Sequence, residues 1–510
     1  MEDTFINTQG ATLETGFDAS GHVNSIQAGS ANLKGTLLVR PVRDFYASED
    51  TIELQSPVDI RESGALKANM TVGLVGQIDS PTLSFAMKGD SFTDSSSMPS
   101  VFANRSDNAY SQYALDTGSR STGLALDFIA DKAHGDMQDL LEALDWSAPD
   151  GSDVADALKR LGPGAYDAVA RSSLIQQNEI NLLVLRRLMA TQTDGGQSEY
   201  GLLVDQNNEG SQLAESPYET KNTDTWQFWV TPYGGSSFQD SHKNISAWKS
   251  KGVGLLVGAE RHFQSNLDVG FHIALTSRRT NVKDNEKALA DTTSALFGLQ
   301  AFYAPGSWNG LYLMGQGRIG VENGKIDRTI HINGYNRQAE SRWTGFVGSL
   351  QAGLGWDAHF DSELGRFTMG PLAFAEYAFL HRPSVDEDKG GAANLNVDDT
   401  TYDSLLMNLG LHAGWQTILP SGNHLKCDVL AAWRHELLNP SFSTSAAFPS
   451  YGAPRFESDS DLPGRNSLLL QAGFTFLSNK DFTAQLDVGG EFFRQDYTGM
   501  NVGLDLSWHF

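Results

Sequence analysis

Apolar and polar residues alternate along the C-terminal half of the chain, from about residue 225 to residue 510. The final residues show this most clearly: Val502, Leu504, Leu506, Trp508 and Phe510 fall on one face, and polar or small residues separate them. A period of two residues is typical of a β-strand with one apolar and one polar face. The C-terminal half is therefore predicted to form a sheet with an apolar side and a polar side.

The same alternation recurs in twelve segments. Short connections alternate with long polar ones along the chain. An even number of strands, with short turns at one end and long loops at the other, is typical of outer-membrane barrels. The predicted strands are 225–236, 252–263, 267–281, 292–304, 309–323, 343–360, 366–381, 402–418, 424–436, 465–478, 482–495 and 501–510. The short connections are Gln264–Asn266, Pro305–Trp308 and Asn479–Asp481, and the long ones are Gln239–Lys251, Gly324–Arg342, Pro383–Thr401 and Pro440–Gly464.

Charges on the polar faces separate two interpretations of this sheet. A soluble all-β domain would also show alternation. It would not place charges on one face and aromatic residues near the strand ends on the other, which is the pattern of a membrane barrel with a polar lumen. We therefore expect a twelve-stranded antiparallel transmembrane β-barrel. The aromatic residues are Trp226, Trp308, Trp343, Trp356, Trp415, Trp508 and Phe510. The residues expected to face the lumen are Glu260, Arg318, Glu376, Asp428, Arg434, Glu436 and Glu491, with Gln300, Gln351, Lys426 and Gln471.

Upstream of the barrel the apolar residues recur every three to four positions, which predicts helices. We expect one helix over 123–148, a second over Ser152–Leu161 with Ser152 as its N-cap, and a third over Ala165–Ala190. The polar segment that follows, 191–224, is predicted to be a linker.

The third helix is predicted to plug the barrel. It would be about 39 Å long at 1.5 Å per residue, and its surface, which includes Asn178 and Asn181, is too polar for lipid. Arg186 and Arg187 lie near its C-terminus, where they would meet both the helix dipole and the lumen carboxylates. A polar lumen offers this helix hydrogen-bond partners on all sides.

The first 120 residues or so hold short alternating runs separated by Gly, Asn, Asp and Ser, as in His22–Arg40 and Leu66–Ile78. Such runs predict strands. Their irregular spacing is compatible with the last coils of a β-solenoid, in which each coil offers the next one an edge. A small sandwich would show much the same pattern, so both interpretations stay open.

The composition narrows the functional classes. The chain has 37 Lys and Arg residues against 62 Asp and Glu residues, a net charge of -25, which argues against a nucleic-acid partner. Its single cysteine, Cys427, excludes an intrachain disulfide and a cysteine-based zinc cluster. No histidine pair has metal-ligand spacing, so neither a metal nor a cofactor is expected. The first ten residues, MEDTFINTQG, lack the features of a secretory signal.

One group of residues has the spacing of an esterase. The run from Gly89 to Phe92 resembles the nucleophile block of GDSL-type esterases, and Asp131 with His134 has their Asp-x-x-His spacing. The serine, Ser91, lies only about 40 residues upstream, with no intervening α/β core and no other oxyanion-hole block. A loop serine and a helix histidine explain these residues better, and we expect no catalytic residue.

The order of these parts resembles the autotransporters, type V secretion proteins of Gram-negative bacteria. The most specific stretches are LAAWRHELLNPS from Leu430, DLPGRNSLLLQAGFTF from Asp461, and LDVGGEFFRQDYTGMNVGLDLSWHF, which ends on Phe510. The stretch LGPGAYDAVARSSLIQQNEINLLVLRRL resembles the segment that leads into the family's pore helix. GTLLVRP and VFANRSDNAYSQYALD resemble the end of a β-helical passenger.

This resemblance implies four parts. Residues 1–120 would be the end of the passenger, which templates its folding, and 121–190 a helical segment with the pore helix at about 165–190. Residues 191–224 would be the linker and 225–510 the barrel. The function implied is an outer-membrane translocator that moves or anchors its own passenger at the cell surface. The missing signal and the short passenger imply a truncated gene model, a shortened chain or a misplaced start.

The resemblance also implies partners. They are outer-membrane lipid and lipopolysaccharide, periplasmic chaperones and the barrel-assembly machinery, and the chain would be a monomer. The terminal signal that the machinery reads corresponds here to Gly503, Leu506, Trp508 and Phe510. The same residues can also be explained as lipid-facing side chains together with one small residue. The two interpretations are compatible with each other.

Some autotransporters cut themselves inside the pore at an asparagine. Asn178 and Asn181 lie in the predicted helix and Asn207-Asn208 in the linker, but the helix has no adjacent Asn pair. Hydrogen bonding between the helix and the wall is therefore the better explanation. The alternatives to a translocator are an outer-membrane esterase-like enzyme whose activity lies in the N-terminal third, and a permanent surface adhesin or channel.

Overall fold

The computed structural model describes residues 4–61, 64–94, 97–195, 226–242, 245–263, 267–283, 286–438, 441–449, 451–461, 464–478 and 482–509. The predicted turns Gln264–Asn266 and Asn479–Asp481, most of the predicted linker, the pair Asn207-Asn208 and Phe510 lie outside these residues. No helix in the described ranges is long and apolar enough to cross a membrane.

The N-terminal region consists mainly of parallel strands stacked on one another. β1 and β2 both pair with β4, β4 pairs with β7, and β3 pairs with β6, all in parallel. Stacked parallel coils are the arrangement of a solenoid, whereas a sandwich is built from antiparallel strands. The strands are β1 (Thr4–Asn7), β2 (Thr12–Phe17), β3 (Ile26–Ala28), β4 (Ser30–Pro41), β5 (Asp50–Glu53), β6 (Val58–Ile60), β7 (Leu66–Leu74), β8 (Leu83–Lys88), β9 (Ser91–Phe92) and β10 (Ser100–Arg105).

The last part of this region is antiparallel. β10 pairs with β5 on one side and with β8 on the other, and β9 pairs with β7. The side chains of Phe17, Leu37, Val39 and Tyr46 are fully buried between the strands. We call residues 4–105 the solenoid.

Four α-helices follow among the described residues: α1 (Thr117–Ala130), α2 (Asp136–Asp145), α3 (Ser152–Leu161) and α4 (Gly164–Gly195). The single helix predicted over 123–148 is wrong. Asp116 caps α1 through the backbone N–H of Ser119 at 2.7 Å, and Gly135 with a φ of 58° precedes α2. Ser152 is likewise not the N-cap of α3 but its first residue, because Gly151 takes the cap position with a φ of 76°.

Twelve strands in the described ranges close into an antiparallel ring, which confirms the predicted barrel. Each strand pairs with the next, and β27 pairs with β11 to complete the ring. The ring strands are β11 (Trp226–Gln239), β12 (Trp248–Phe263), β13 (Leu267–Val282), β14 (Ala288–Tyr303), β15 (Leu311–Ile332), β16 (Tyr335–Trp356), β18 (Gly365–Arg382), β21 (Thr400–Ile418), β22 (His424–Glu436), β25 (Asn466–Leu477), β26 (Phe482–Arg494) and β27 (Tyr497–His509). The short β17 (Ala358–Ser362) pairs only with β18.

The long loop predicted over Gly324–Arg342 is wrong. β15 and β16 stay paired up to Ile332 and Tyr335, and they are joined by Asn333 and Gly334. Both joining residues have positive φ, 35° and 93°, as a tight hairpin turn requires, and Asn-Gly is the dipeptide that favours this turn. The hairpin therefore extends beyond Arg328, the last residue of β15 that pairs with β14, and beyond Phe346, where the pairing of β16 with β18 ends.

The long connections after β18 and β22 also carry structure. They supply β19 (Val385–Asp386), β20 (Asn396–Val397), β23 (Ser445–Ala447) and β24 (Phe456–Glu457), which form one small sheet in the order β19-β20-β23-β24. A 3-10 turn at Gly391–Ala393 lies in the first connection. We call this end of the barrel, with the β15–β16 hairpin, the mouth, and the opposite end the turn end.

Candidate functional site

α4 lies inside the barrel and runs from the mouth to the turn end. Near its start, Asp167 accepts a hydrogen bond from Thr444 at 2.6 Å, and Arg171 donates to the carbonyl of Ser460 at 2.9 Å; both partners belong to the mouth. Near its end, the Lys426 ammonium donates to the carbonyl of Met189 at 3.4 Å, and Lys426 lies two residues into β22 at the turn end. The chain therefore passes through the lumen once as a helix before β11 begins.

The middle of α4 is held by polar side chains of β15 and β16. Asn181 accepts from Arg318 at 2.8 Å and from Ser349 at 3.1 Å, and its carbonyl accepts from Gln316 at 2.8 Å. Arg318 also donates to the carbonyl of Gln177 at 2.9 Å. The Oδ1 atom of Asn181 thus accepts from two donors of the wall. Asn178, one turn earlier, is half-buried and faces a cavity.

The two arginines near the end of α4 each bridge two carboxylates of the wall. Arg187 donates to Asp505 at 2.6 Å and to Glu260 at 2.8 Å, and its guanidinium lies 4.6 Å from the ring centre of Trp229. Buried charges of this kind are stable only when they are paired, and removal of one partner leaves the other uncompensated. Arg187 is therefore a clamp between the helix and both the second and the last barrel strand.

Arg186 makes the equivalent contacts on the neighbouring side. It pairs with Asp428, and its Nε lies 3.3 Å from Asp487. All three side chains are buried. The two arginines together attach the C-terminal half of α4 to four strands, β12, β22, β26 and β27.

A third ion pair, between Glu179 of α4 and Arg278 of β13, was not among the predicted site residues. Its geometry depends on a glycine, because a Cβ at Gly235 would lie 2.5 Å from a carboxylate oxygen of Glu179. The alternation of β13 does place Arg278 on the polar face. The sequence alone gives no signal that Glu179 is its partner across the lumen.

The remaining predicted lumen residues bind one another rather than the helix. Arg434 pairs with Glu376 and, at 3.0 Å, with Glu491. Glu436 accepts from Ser404 at 2.5 Å, and Gln351 donates to Glu376 at 3.2 Å. All of these side chains are buried in the lumen. They form a polar network along the wall from β16 to β26, and it includes β22 and β26, the two strands that also bind Arg186.

A small cavity of about 60 Å³ lies between α4 and this network. Its lining includes Arg171, Asn178, Glu179, Arg434, Glu491 and Tyr497. Most of the lining surface is nevertheless apolar, because Leu174, Leu182, Phe442 and Leu469 also line this space. The helix therefore plugs the lumen without filling it on the β22, β25 and β26 side.

The predicted assembly signal divides between the two faces of β27. Leu506 and Trp508 face outward, and Trp508 packs against Phe482 with ring centres 5.5 Å apart. Gly503 faces the lumen, where a Cβ would lie 2.6 Å from Leu183 of α4. Gly503 therefore has a packing role of its own, which is to make room for the helix.

The esterase-like residues lie in different elements. Ser91 is an exposed residue of β9 and pairs with Thr71, whereas Asp131 and His134 are in the connection between α1 and α2. The His134 ring lies 5.2 Å from Tyr451 of the mouth. No hydrogen bond between described residues joins any two of the three candidate residues. Within the same ranges, no group of His, Cys, Asp and Glu could hold a metal ion.

The fold and the lumen together define an outer-membrane β-barrel with a helix in its pore. The sequence model of the Autotransporter beta-domain family matches residues 228–489. The chain belongs to this family, and its barrel is the outer-membrane translocator domain of an autotransporter. No curated protein sequence matches the chain.

Three solved structures of autotransporter barrels are similar to this chain. The translocator domain of NalP from Neisseria meningitidis is 16% identical, with 67% of this chain and 99% of that one covered and a TM-score of 0.46. The transport unit of AIDA-I from Escherichia coli is 14% identical, with 63% and 97% covered and a TM-score of 0.41. The beta domain of the Bordetella autotransporter BrkA is 15% identical, with 56% and 100% covered and a TM-score of 0.40.

Proposed function

We propose that this barrel moves its own N-terminal region to the cell surface and then anchors it there. The observation that carries the proposal is the path of the chain. Residues before α4 lie at the mouth, α4 passes through the lumen to the turn end, and β11 starts from there. A segment that has been exported through the barrel has its last part in the pore, with the start of that part at the mouth and its end at the turn end, as α4 has here.

Contacts between the solenoid and the mouth favour anchoring over release. Arg43 lies 2.7 Å from Glu142 of α2 and donates to the carbonyl of Asn333 in the hairpin turn at 2.7 Å. The solenoid is also bonded to the helices that precede the barrel, since the indole of Trp146 at the end of α2 donates to the carbonyl of Asp44 at 2.9 Å. The exported region is thus attached to the barrel by side-chain contacts as well as by the chain itself.

We propose further that the whole chain is non-catalytic and acts as a monomer. The separation of Ser91 from Asp131 and His134 supports the first point, and the closed ring, which needs no strand from a second copy, supports the second. Its partners are outer-membrane lipid and lipopolysaccharide, which face residues such as Leu350 and Leu411, and the periplasmic chaperones and barrel-assembly machinery that act before the barrel closes.

Cysteine labelling in cells tests the orientation. The background chain carries Cys427→Ser and a grafted signal peptide. In this background, Lys67→Cys on the solenoid and Asn309→Cys at the turn end each introduce one exposed thiol. A membrane-impermeant maleimide should label Lys67→Cys in intact cells and Asn309→Cys only after the outer membrane is permeabilised. Labelling of Asn309→Cys but not Lys67→Cys in intact cells would contradict the proposal.

A further inference from the structure

The outward face of β12 changes from apolar to basic on the side of the mouth. Val253, Leu255 and Val257 face outward and are 63%, 37% and 48% exposed. The next two residues of this face toward the mouth are Lys251 and Lys249. Apolar side chains on the outer face of a membrane barrel contact lipid. The two lysines therefore lie at the level where the lipid chains end and the head groups begin.

A third lysine lies beside them. Lys283 follows the last residue of β13, and its backbone N–H donates to the carbonyl of Ala247 at 2.7 Å, one residue before β12 begins. Lys251 and Lys283 are exposed, and the ammonium of the half-buried Lys249 lies 4.7 Å from the ring centre of Phe238. We call Lys249, Lys251 and Lys283 the lysine cluster.

No lysine of this cluster forms an ion pair with a carboxylate in the described ranges. Arg279 lies directly opposite Lys251 in the register of β12 and β13, and like charges in this position destabilise a sheet. Asp291 of the next strand binds Arg279 through two bonds of 2.7 and 3.0 Å, so it neutralises Arg279 and not Lys251. The charge of the lysine cluster is therefore available to an anion from outside the chain.

On the barrel strands, outward-facing cations near the mouth occur on one side only. Besides the lysine cluster and Arg279, they are Lys325 and Arg342, which lie opposite each other on β15 and β16, and Lys325 is bound to Asp327 at 2.8 Å. On the described residues of β11, β18, β21, β22, β25, β26 and β27, no Lys or Arg faces outward. A general belt of snorkelling cations would surround the barrel. The one-sided placement indicates a local binding site.

We propose that the lysine cluster binds the phosphate groups of a lipopolysaccharide molecule in the outer leaflet. An ammonium group binds phosphate as a point charge, and lysines near a membrane surface attract anionic lipid head groups. The acyl chains of the same molecule lie against Val253, Leu255 and Val257. This inference rests on the proposed function, since that function places the mouth on the outer side of the membrane.

Thermal gel-shift curves of the purified full chain in a neutral detergent test the site. EDTA is present, because divalent cations would otherwise neutralise the phosphates. Lipid A with both phosphates should raise the temperature of the mobility change by several degrees, and added salt should reduce this shift by screening the charges. Dephosphorylated lipid A and inorganic pyrophosphate should each give little of it. An equal shift with dephosphorylated lipid A would overturn phosphate recognition, and a full shift with pyrophosphate would overturn a lipid as the source.

Two variants with the same loss of charge compare the lysine cluster with other surface lysines. The cluster variant should lose most of the lipid A shift, and it combines Lys249→Gln, Lys251→Gln and Lys283→Gln. The control should keep the full shift, and it replaces three exposed lysines of the solenoid by Lys34→Gln, Lys67→Gln and Lys88→Gln. Each shift is measured against the same variant without lipid, so an effect on folding cancels. A cluster variant that keeps the full shift, or a control that loses as much of it, would overturn the proposal.

Cysteine labelling keeps this inference apart from the proposed function. The lipid A test uses purified protein, so it does not depend on the side of the membrane that the mouth faces. Loss of the phosphate-dependent shift together with the expected labelling would overturn the lipid site alone. The opposite labelling with the shift retained would overturn the proposed function and leave a binding site for lipid phosphate.

Discussion

Arg187 and Asp505 join the last part of the pore helix to the last strand of the barrel, with 2.6 Å between Nη1 and Oδ1. Asp505 also accepts from Thr231 of the first strand at 2.6 Å. The contact therefore lies on the seam where β27 meets β11 and the ring closes. The helix and the closure of the barrel support each other at this point.

Arg187→Met should destabilise the barrel by about 3–5 kcal/mol, because Glu260 and Asp505 would be left buried without their cation. The temperature at which gel mobility changes should fall. Arg279→Met is the matched control, since Arg279 forms an exposed pair with Asp291, and exposed pairs contribute little to stability because water and salt screen them. Equal effects of the two substitutions would show that the Arg187 clamp does not stabilise the folded protein.

The Glu179–Arg278 pair should be disturbed by a substitution at Gly235, the wall glycine beside the Glu179 carboxylate. Gly235→Ala brings a methyl group to 2.5 Å from the Glu179 carboxylate and should displace it, with a loss of stability of about 1–3 kcal/mol. The adjacent Gly234→Ala is the control, because its nearest neighbour would be 3.7 Å away. Thermal gel-shift curves of the two variants compare them directly, and coinciding curves would exclude a close fit at Gly235.

The strands could be predicted from the sequence because alternation shows on which face of the sheet each residue lies. It placed Glu260, Arg318 and Arg434 in the lumen. It could not identify their partners, since a carboxylate across the lumen is as far as 318 residues away in sequence, as for Arg187 and Asp505. The Glu179–Arg278 pair was missed for the same reason.

The mouth was missed for a different reason. Alternation in β15 continues past Asn323, but the apolar residues move to the other face, and the predicted strand 309–323 ends where this change begins. The Asn333-Gly334 dipeptide was the available signal for the hairpin. The break between α1 and α2 had a weaker signal, a single glycine at 135 that adopts a positive φ.

Stability of the mouth should depend on pH through Glu286, which lies in the β13–β14 connection and contacts Gly164 at the start of α4. Burial, and the nearby carboxylate of Asp167, raise the pKa of Glu286 to about 8 from an ordinary value of 4.5. A bond from Ser246 and the charge of Lys159 act in the opposite direction. The folded protein therefore holds this proton more tightly than the unfolded chain does.

Ionisation of Glu286 consequently removes stability as pH rises from about 4.5 to about 8, and the full cost applies above that range. Glu286→Gln should raise the unfolding temperature relative to the wild type at about pH 9 and leave it unchanged at about pH 4. The exposed Glu363→Gln serves as control and should change neither. A stabilisation by Glu286→Gln that is the same at both pH values would contradict this assignment.

The packing role of Gly503 can be separated from its predicted part in the assembly signal. Gly503→Ala would place a methyl group 2.6 Å from Leu183, which should cost about 1–3 kcal/mol through overpacking and lower the yield of folded barrel. Leu183→Ala in the same chain removes the opposing atoms and should restore most of that yield if packing is the cause. The yield is measured as the heat-modifiable fraction in outer membranes, with total synthesis as reference. A double variant that assembles no better than Gly503→Ala would instead show that the glycine is read before the helix enters the lumen.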